Sequence, residues 1–272
     1  MTVYQLVQAT FAREWSEWHD EHEKALSNPH GFLAVTGLHW LTGVPTRFDD
    51  APGEWSTSDD GVRVVLADNE SLIVEGVSVN GVHDFGVIDE TKSAMAAFDD
   101  VVVEVAKRGG RDVIRPRHPD HELVRNYRGT PTFSPRLTWR VPGRFVAFDS
   151  PRSVTVDSAV EGLQQVYEAP GYVEFELLGN AHRLTVFSEE GNDNFDVLFR
   201  DATSGVTTYG ATRALTIDPP DPEGRVIIDF NRATNLPCAY TDFATCPLPP
   251  AENHLTIAVE AGEKIPYERL AT

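Results

Sequence analysis

The sequence predicts a mainly β chain, built as two β-barrel-like or sandwich-like units with an amphipathic helix at the N-terminus. Three observations carry this expectation. Residues 3–26 repeat apolar side chains every three or four positions, the period of a helix with one buried face. From Gly31 onward the chain changes to short apolar runs punctuated by Gly, Pro, Asn and Asp, the grammar of strands and turns. At 272 residues, 41% of them hydrophobic, the chain is long enough for one large β-rich domain or two smaller ones without disulfide staples.

The helix is defined by Tyr4, Val7, Phe11, Trp15, Trp18, His22 and Leu26. Thr2 and Gln5 fit a capping box at its start, and Asn28-Pro29 stops it. Candidate strands of the first unit are 32–36, 62–67, 71–74, 101–107 and 112–115. Those of the second are 139–148, 165–168, 172–178, 182–187, 195–200, 207–217, 225–230 and 255–260. Gly109-Gly110 and Gly179-Asn180 each separate two alternating runs and read as hairpin turns. Residues 116–135 are rich in Pro, His and Arg and lack periodicity, the composition of a connection. The expected organisation is a helix over 1–30, a β unit over 31–115, a connection over 116–135 and a second β unit over 136–272.

Charge narrows the partner classes. The formal net charge is −19, with 42 acidic against 23 basic residues, and such a field repels a phosphate backbone, so no nucleic-acid partner is expected. Arg108, Arg111, Arg115 and Arg117 are the densest basic stretch, but they flank Gly109-Gly110 and read as a solvated hairpin. No apolar run approaches the length of about 18 residues that spans a bilayer, so no membrane partner is expected. The acidic N-terminus, with Glu14, Glu17, Asp20, Glu21 and Glu23, lacks the order of a secretory signal, which makes the cytoplasm the expected compartment. Two cysteines, Cys238 and Cys246, allow one bridge at most and read as thiols in a reducing compartment. Oligomeric state is left open.

Chemistry concentrates in residues 229–250. Strand alternation over 207–217 puts Tyr209, Ala211, Arg213, Leu215 and Ile217 on one face, so a guanidinium shares a side with core residues and needs a partner. A hairpin turning through 219–224 would set Asp229 opposite Arg213, and the two are expected to form a structural ion pair. Asn231, Arg232, Asn235 and Cys238 follow directly, at a strand end where a pocket can open. Pro237, Pro247, Pro249 and Pro250 stiffen the segment beyond.

These residues resemble a known family. Gly210 through Arg213, Asp229-Phe230-Asn231-Arg232, Asn235, Pro237-Cys238-Ala239, Thr245-Cys246-Pro247-Leu248-Pro249-Pro250, Asn253 and Ala261-Gly262-Glu263-Lys264 are similar to the bacterial and archaeal family catalogued as domain of unknown function 1684. Gly37-Leu38-His39-Trp40-Leu41, Arg115 and Gly129 extend the resemblance over nearly the whole chain. Thr234 stands where an aromatic is usual and Leu236 where a second Pro is usual; the polar positions are intact. The resemblance implies a shared fold and polar cluster and brings no established reaction.

Two functional readings follow, with a third that is narrower. In the first, Arg213, Asn231, Arg232, Asn235, Cys238 and Tyr209 line a site for a small, anionic molecule, since arginine offers planar bidentate donors to a carboxylate or phosphate. In the second, the same cluster only fixes the fold. In the third, Cys238 is the nucleophile of a thiol hydrolase, with His254 the nearest histidine in sequence. Metal sets built on Cys238, Cys246 and His254, on His19 and His22, or on His118 and His121 lack the paired spacing of zinc sites. No metal or cofactor is expected. His22 lies on the apolar helix face as an interfacial histidine, and His39 with Trp40 plugs a sheet end. Neither G-x-G-x-x-G, a P-loop, G-x-S-x-G nor H-E-x-x-H is present, which weakens the enzyme classes that depend on them and leaves open an enzyme built from loops.

Overall fold

The structure, a computed structural model, describes residues 3–90, 92–189 and 191–270. It is mainly β, with three antiparallel sheets and a long N-terminal helix. The chain divides into a C-terminal unit (Met1–Glu23, Gly129–Tyr240, Thr245–Thr272) and an N-terminal unit (Lys24–Arg128, Thr241–Ala244). No helix among the described residues is long and apolar enough to cross a membrane.

The helix α1 runs Val3–Leu26, as its periodicity predicts, with Phe11, Trp15 and Leu26 buried and Val7 exposed. Thr2 of the expected capping box lies outside the described residues.

In the N-terminal unit the strands are β1 (His39–Trp40), β2 (Thr46–Phe48), β3 (Ala51–Ser58), β4 (Gly61–Val65), β5 (Leu72–Val74), β6 (Val77–Val79), β7 (Val82–Gly86), β8 (Ser93–Phe98), β9 (Val101–Arg108) and β10 (Arg111–Arg117). They form a six-stranded sheet ordered β1-β10-β9-β8-β5-β6 and a four-stranded sheet ordered β2-β3-β4-β7. Trp55, Val62 and Val64 of the smaller sheet share one core with Leu72, Ala96, Val103, Val105 and Ile114 of the larger. Residues 32–36 are not a full strand: Phe32–Ala34 is a 3-10 turn, followed by a single bridge between Val35 and Arg117.

The basic stretch is the β9–β10 hairpin, with Gly109 and Gly110 both at positive φ. Its guanidiniums are not simply solvated. Arg115 reaches Oε1 of the buried Glu104 at 2.6 Å, Arg117 bonds Oε2, and Arg108 lies 3.3 Å from Oε1. Burial pushes the Glu104 carboxyl up, and the Arg115 and Arg117 charges outweigh it and hold the group below its ordinary value. His39 stacks on Phe48 at 4.2 Å and bonds Asp50 at 2.7 Å, and Arg111 covers Trp40 at 4.2 Å, on the edge strand of the six-stranded sheet.

In the C-terminal unit the strands are β11 (Arg140–Asp157), β12 (Gln164–Leu177), β13 (Asn180–Ser188), β14 (Phe195–Phe199), β15 (Arg213–Ile217), β16 (Arg225–Asp229) and β17 (Thr234–Asn235). They make one sheet ordered β16-β11-β12-β13-β14-β15-β17. Val141, Phe175, Leu184, Val197, Leu215 and Ile228, drawn from β11 to β16, enter a single core, so the sheet curls on itself. Phe230, just past β16, packs on Phe175 of β12 and Phe199 of β14 at 5.6 and 5.7 Å.

Two breaker clusters that predict loops lie inside strands. Phe148 to Pro151 bulges out of β11 opposite Pro170 of β12, between the pairs Ala147–Gly171 and Arg152–Ala169. Gly171 is required there because a Cβ would lie 2.3 Å from the Val146 carbonyl oxygen. Residues 255–260 are not a strand either; their backbone is satisfied by the segment after β14, through Leu255 N to Arg200 O and Ala202 N to Ile257 O.

Candidate functional site

The predicted Arg213–Asp229 pair does not form. β15 pairs with β14 and β17, not with β16, so Arg213 faces Phe199 and Asn235. Its buried guanidinium bonds Asp201, reaches the carbonyls of Ala261 and Val259 at 2.5 and 3.1 Å, and stacks on Phe199. Burial draws its pKa below the ordinary value against the pull of Asp201, and a guanidinium stays charged at neutral pH all the same. Asp229 instead caps the 3-10 turn Phe230–Arg232, accepting from Asn231 N at 3.1 Å and Nδ2 at 2.7 Å, with Arg140 3.9 Å away. The cause is topological: residues 218–224 connect β15 to β16, five places apart in the strand order of a curled sheet, a connection that turn composition does not distinguish from a hairpin.

The other predicted residues separate by environment. Asn231 is buried and brackets Arg136, accepting from its N–H at 2.9 Å and donating to its carbonyl at 3.0 Å. Its own carbonyl accepts Trp15 Nε1–H at 2.7 Å, which ties the helix to the loop. Cys238 and Cys246 are buried and not joined in a disulfide, and Cys238 N–H points at Cys246 Sγ at 3.2 Å. The Cys246 thiol, and after it the Tyr209 hydroxyl, hold Cys238 below its ordinary pKa against burial. Tyr209 is pushed up to about 12 by burial, with the neighbouring Cys238 adding to the effect; its hydroxyl donates to Cys238 O at 2.8 Å. No imidazole bonds Cys238 among the described residues. Arg232 alone of the predicted set turns its charged group outward, with the guanidinium 5.3 Å above the Trp18 ring.

Beside Asn235 and Arg232 the fold assembles a cluster that residues 229–250 do not announce. On α1, Trp15, Trp18, His19, His22 and Glu23 recur at helical spacing and share a face. Trp15 stacks on His19 (4.8 Å, 19°) and Trp18 on His22 (5.6 Å, 9°). The partner of this face is Glu263, 1% exposed. Gly262 places it: φ is +74°, and a Cβ there would lie 2.4 Å from Ala233 O and 2.9 Å from Phe230 O, so only glycine lets the two backbones approach.

Glu263 Oε1 lies 3.0 Å from His22 Nε2, while Oε2 accepts Asn235 N–H at 2.5 Å and faces the Tyr240 hydroxyl at 3.5 Å. Tyr240 in turn meets Thr130 Oγ1 at 2.7 Å, and Thr130 N–H donates to Glu23 Oε1 at 3.1 Å. That same Glu23 oxygen is 3.4 Å from His19 Nε2. Asn235 donates Nδ2–H to Lys264 O at 2.8 Å, but its Oδ1 is buried without a hydrogen bond, as is His19 Nε2. The result is a row running from exposed Arg232 over Trp18 and His22 to buried Glu263, flanked by His19 and Glu23.

Two other features lie away from this row. An open groove of about 660 Å³ over β11–β13 is lined by Arg144, Tyr172, Glu174, His182 and Arg183 among others. There Glu174 stands opposite both Arg144 and Arg183 in register, the pattern of a charged sheet face. His118 and His121 are engaged with Asp120 N and Leu33 O.

In sequence, His19 and His22 lack the paired spacing of a zinc site, and Glu263 stands only within the Ala261-Gly262-Glu263-Lys264 motif. The usable signal was the i, i+3, i+4 set His19, His22 and Glu23 on one face; the fourth member is 241 positions from His22 and carries no local signal.

An uncharacterized protein of Haloarcula marismortui, solved by solution NMR, is 30% identical over 53% of this chain and 80% of its own, with a TM-score of 0.45. No curated protein matches. The profile of the family described as "Protein of unknown function (DUF1684)" matches residues 125–264, which leaves Gly37 to Leu41 and Arg115 outside the matched region. This stretch holds Arg213, Arg232, Asn235 and Glu263 with the sheet that positions them, and the chain therefore belongs to the DUF1684 family.

Proposed function

We propose that this chain binds a small anionic molecule, gripped by the Arg232 guanidinium and laid against Trp18. One observation carries the reading: Arg232 is exposed, is held over an aromatic ring, and makes no hydrogen bond or ion pair with any described residue. An exposed arginine is ordinarily just solvated. What favours a ligand here is the row behind it, where Trp18 stacks on His22 and His22 meets Glu263. A guanidinium with open donors beside an aromatic wall suits a planar carboxylate or a phosphate.

The purified chain, scanned for thermal unfolding with phosphate, acetate, citrate and a nucleoside monophosphate, is expected to melt higher by several degrees with at least one of them. Arg232→Ala should remove that shift and leave the ligand-free melting temperature within about a degree, because the side chain is exposed. A panel in which no anion acts, or a variant that responds like the parent, overturns the reading.

The fold-fixing alternative draws its support from Arg213, Asp229 and Asn231, whose polar atoms serve contacts within the chain. For those three residues it is the better reading.

A further inference from the structure

We propose that His19, Glu23 and Glu263 hold a divalent metal ion, with His22 orienting Glu263 for it. This goes beyond the anion reading and does not depend on it. Potential ligand atoms of the three residues all lie within 4.8 Å of one another. Ligands about 2.0–2.2 Å from a common ion sit within about 4.4 Å of each other, so small side-chain rotations close the set.

The bland alternative is an ordinary i, i+4 helix pair of His19 with Glu23. Two facts count against it. His19 Nε2 is shielded from solvent yet has no hydrogen bond, its nearest carboxylate oxygen being 3.4 Å away in poor geometry. A buried imidazole nitrogen left open is costly unless something accepts or binds there. The second fact is Glu263, a carboxylate with 1% exposure brought in from the other end of the chain. Among the described residues its ion pair within 4 Å is with one imidazole, His22, and the Arg213 charge acts on it from further off.

The surroundings are those of a ligand set held in place. His22 bonds one oxygen of Glu263 and Asn235 N–H the other, while Thr130 N–H fixes Glu23. Partners of this kind orient metal ligands and tune their affinity. One imidazole and two carboxylates suit a first-row transition ion, Zn²⁺ by its affinity for imidazole or Mn²⁺ by its affinity for carboxylates, better than Ca²⁺ or Mg²⁺, which take oxygen alone. Three protein ligands leave coordination positions open to water or to an anion.

The test uses the full chain without an affinity tag, stripped with a chelator and titrated calorimetrically with Zn²⁺ and Mn²⁺, with metal content measured after gel filtration. The expected result is about one ion per chain for at least one metal, lost in His19→Ala and in Glu263→Gln, and weakened ten-fold or more in His22→Gln. Glu23→Gln, a change of one atom on a part-exposed side chain, covers the case in which the buried variant fails to fold, and should also abolish binding. Arg232→Ala should bind metal like the parent, so loss of the anion response and loss of metal are separable. Retention of less than a tenth of an equivalent by the parent, or equal affinity in His19→Ala or Glu23→Gln, overturns the proposal.

Discussion

Among single residues, the sharpest contrast is between Arg232 and Arg213, two arginines of one predicted cluster. Arg213 has its charge answered by Asp201 and two carbonyls, whereas Arg232 keeps its donors for solvent or a ligand. Position within a motif cannot separate these roles; burial does. The same logic makes the buried Glu104 a vulnerable point of the N-terminal unit. It is a single buried acid facing Arg108, Arg115 and Arg117. Glu104→Gln leaves partly buried guanidiniums without their counter-charge and is expected to cost about 3 kcal/mol, read from the shift in urea midpoint. A cost below about 1 kcal/mol would mean that water solvates the three arginines well enough by itself.

At the level of elements, the helix and the glycine hairpins follow local rules, and deviations from them are instructive. The β12–β13 turn sits one residue earlier than Gly179-Asn180 suggests, because Leu177 pairs with Asn180 and the loop is Leu178-Gly179, at φ of 52° and 78°. A two-residue turn of this hand needs positive φ at both positions, which a leucine adopts only at a cost. Leu178 is 64% exposed, so no packing is lost by replacing it. Leu178→Asn should therefore raise stability by about 0.5–1 kcal/mol in urea unfolding, and a fall would show that the exposed leucine makes an unrecognised contact. The long β11 and β12 strands make the complementary point. Pro151 and Pro170 each break a local pattern, yet facing bulges absorb both within one ladder.

For the whole molecule, carboxylates dominate the response to acid. Glu70, paired with Arg47, is held down to about 2, first by that arginine's hydrogen bond and then by Ala67 N–H. At Asp50, burial raises the pKa, but the His39 and Thr36 hydrogen bonds outweigh it and leave the group low; Glu104 is low for the reason given above. A folded pKa below the unfolded one stabilises fully above the unfolded value and is lost as pH falls through the folded value. Asp196 runs the other way, raised by burial against the Thr216 bond. The lowered groups outnumber it, so the urea midpoint should be level from about pH 7 to pH 5 and fall from about pH 4.5 to pH 3. A midpoint that rises in that acid range would show that relief of the −19 net charge outweighs the lost pairs.

What the sequence determined by itself is whatever rests on near neighbours. The α1 helix came from the 3.6-residue period of Phe11, Trp15 and Leu26, the β9–β10 hairpin from Gly109-Gly110, and the mainly β class from the density of turn residues. The chemically dense segment was also legible, and it does contain Arg232 and Asn235 beside the cluster. Only the tertiary structure decided which of its residues are free and which are spent. The Arg213–Asp201 pair depends on a loop after β14, and the meeting of His22 with Glu263 depends on Gly262 letting two backbones approach closely. The first contact spans 12 positions and the second 241, and the energy of both comes from burial and paired charge in the closed fold. No local propensity encodes them, because each half of the contact is chemically ordinary until the other arrives.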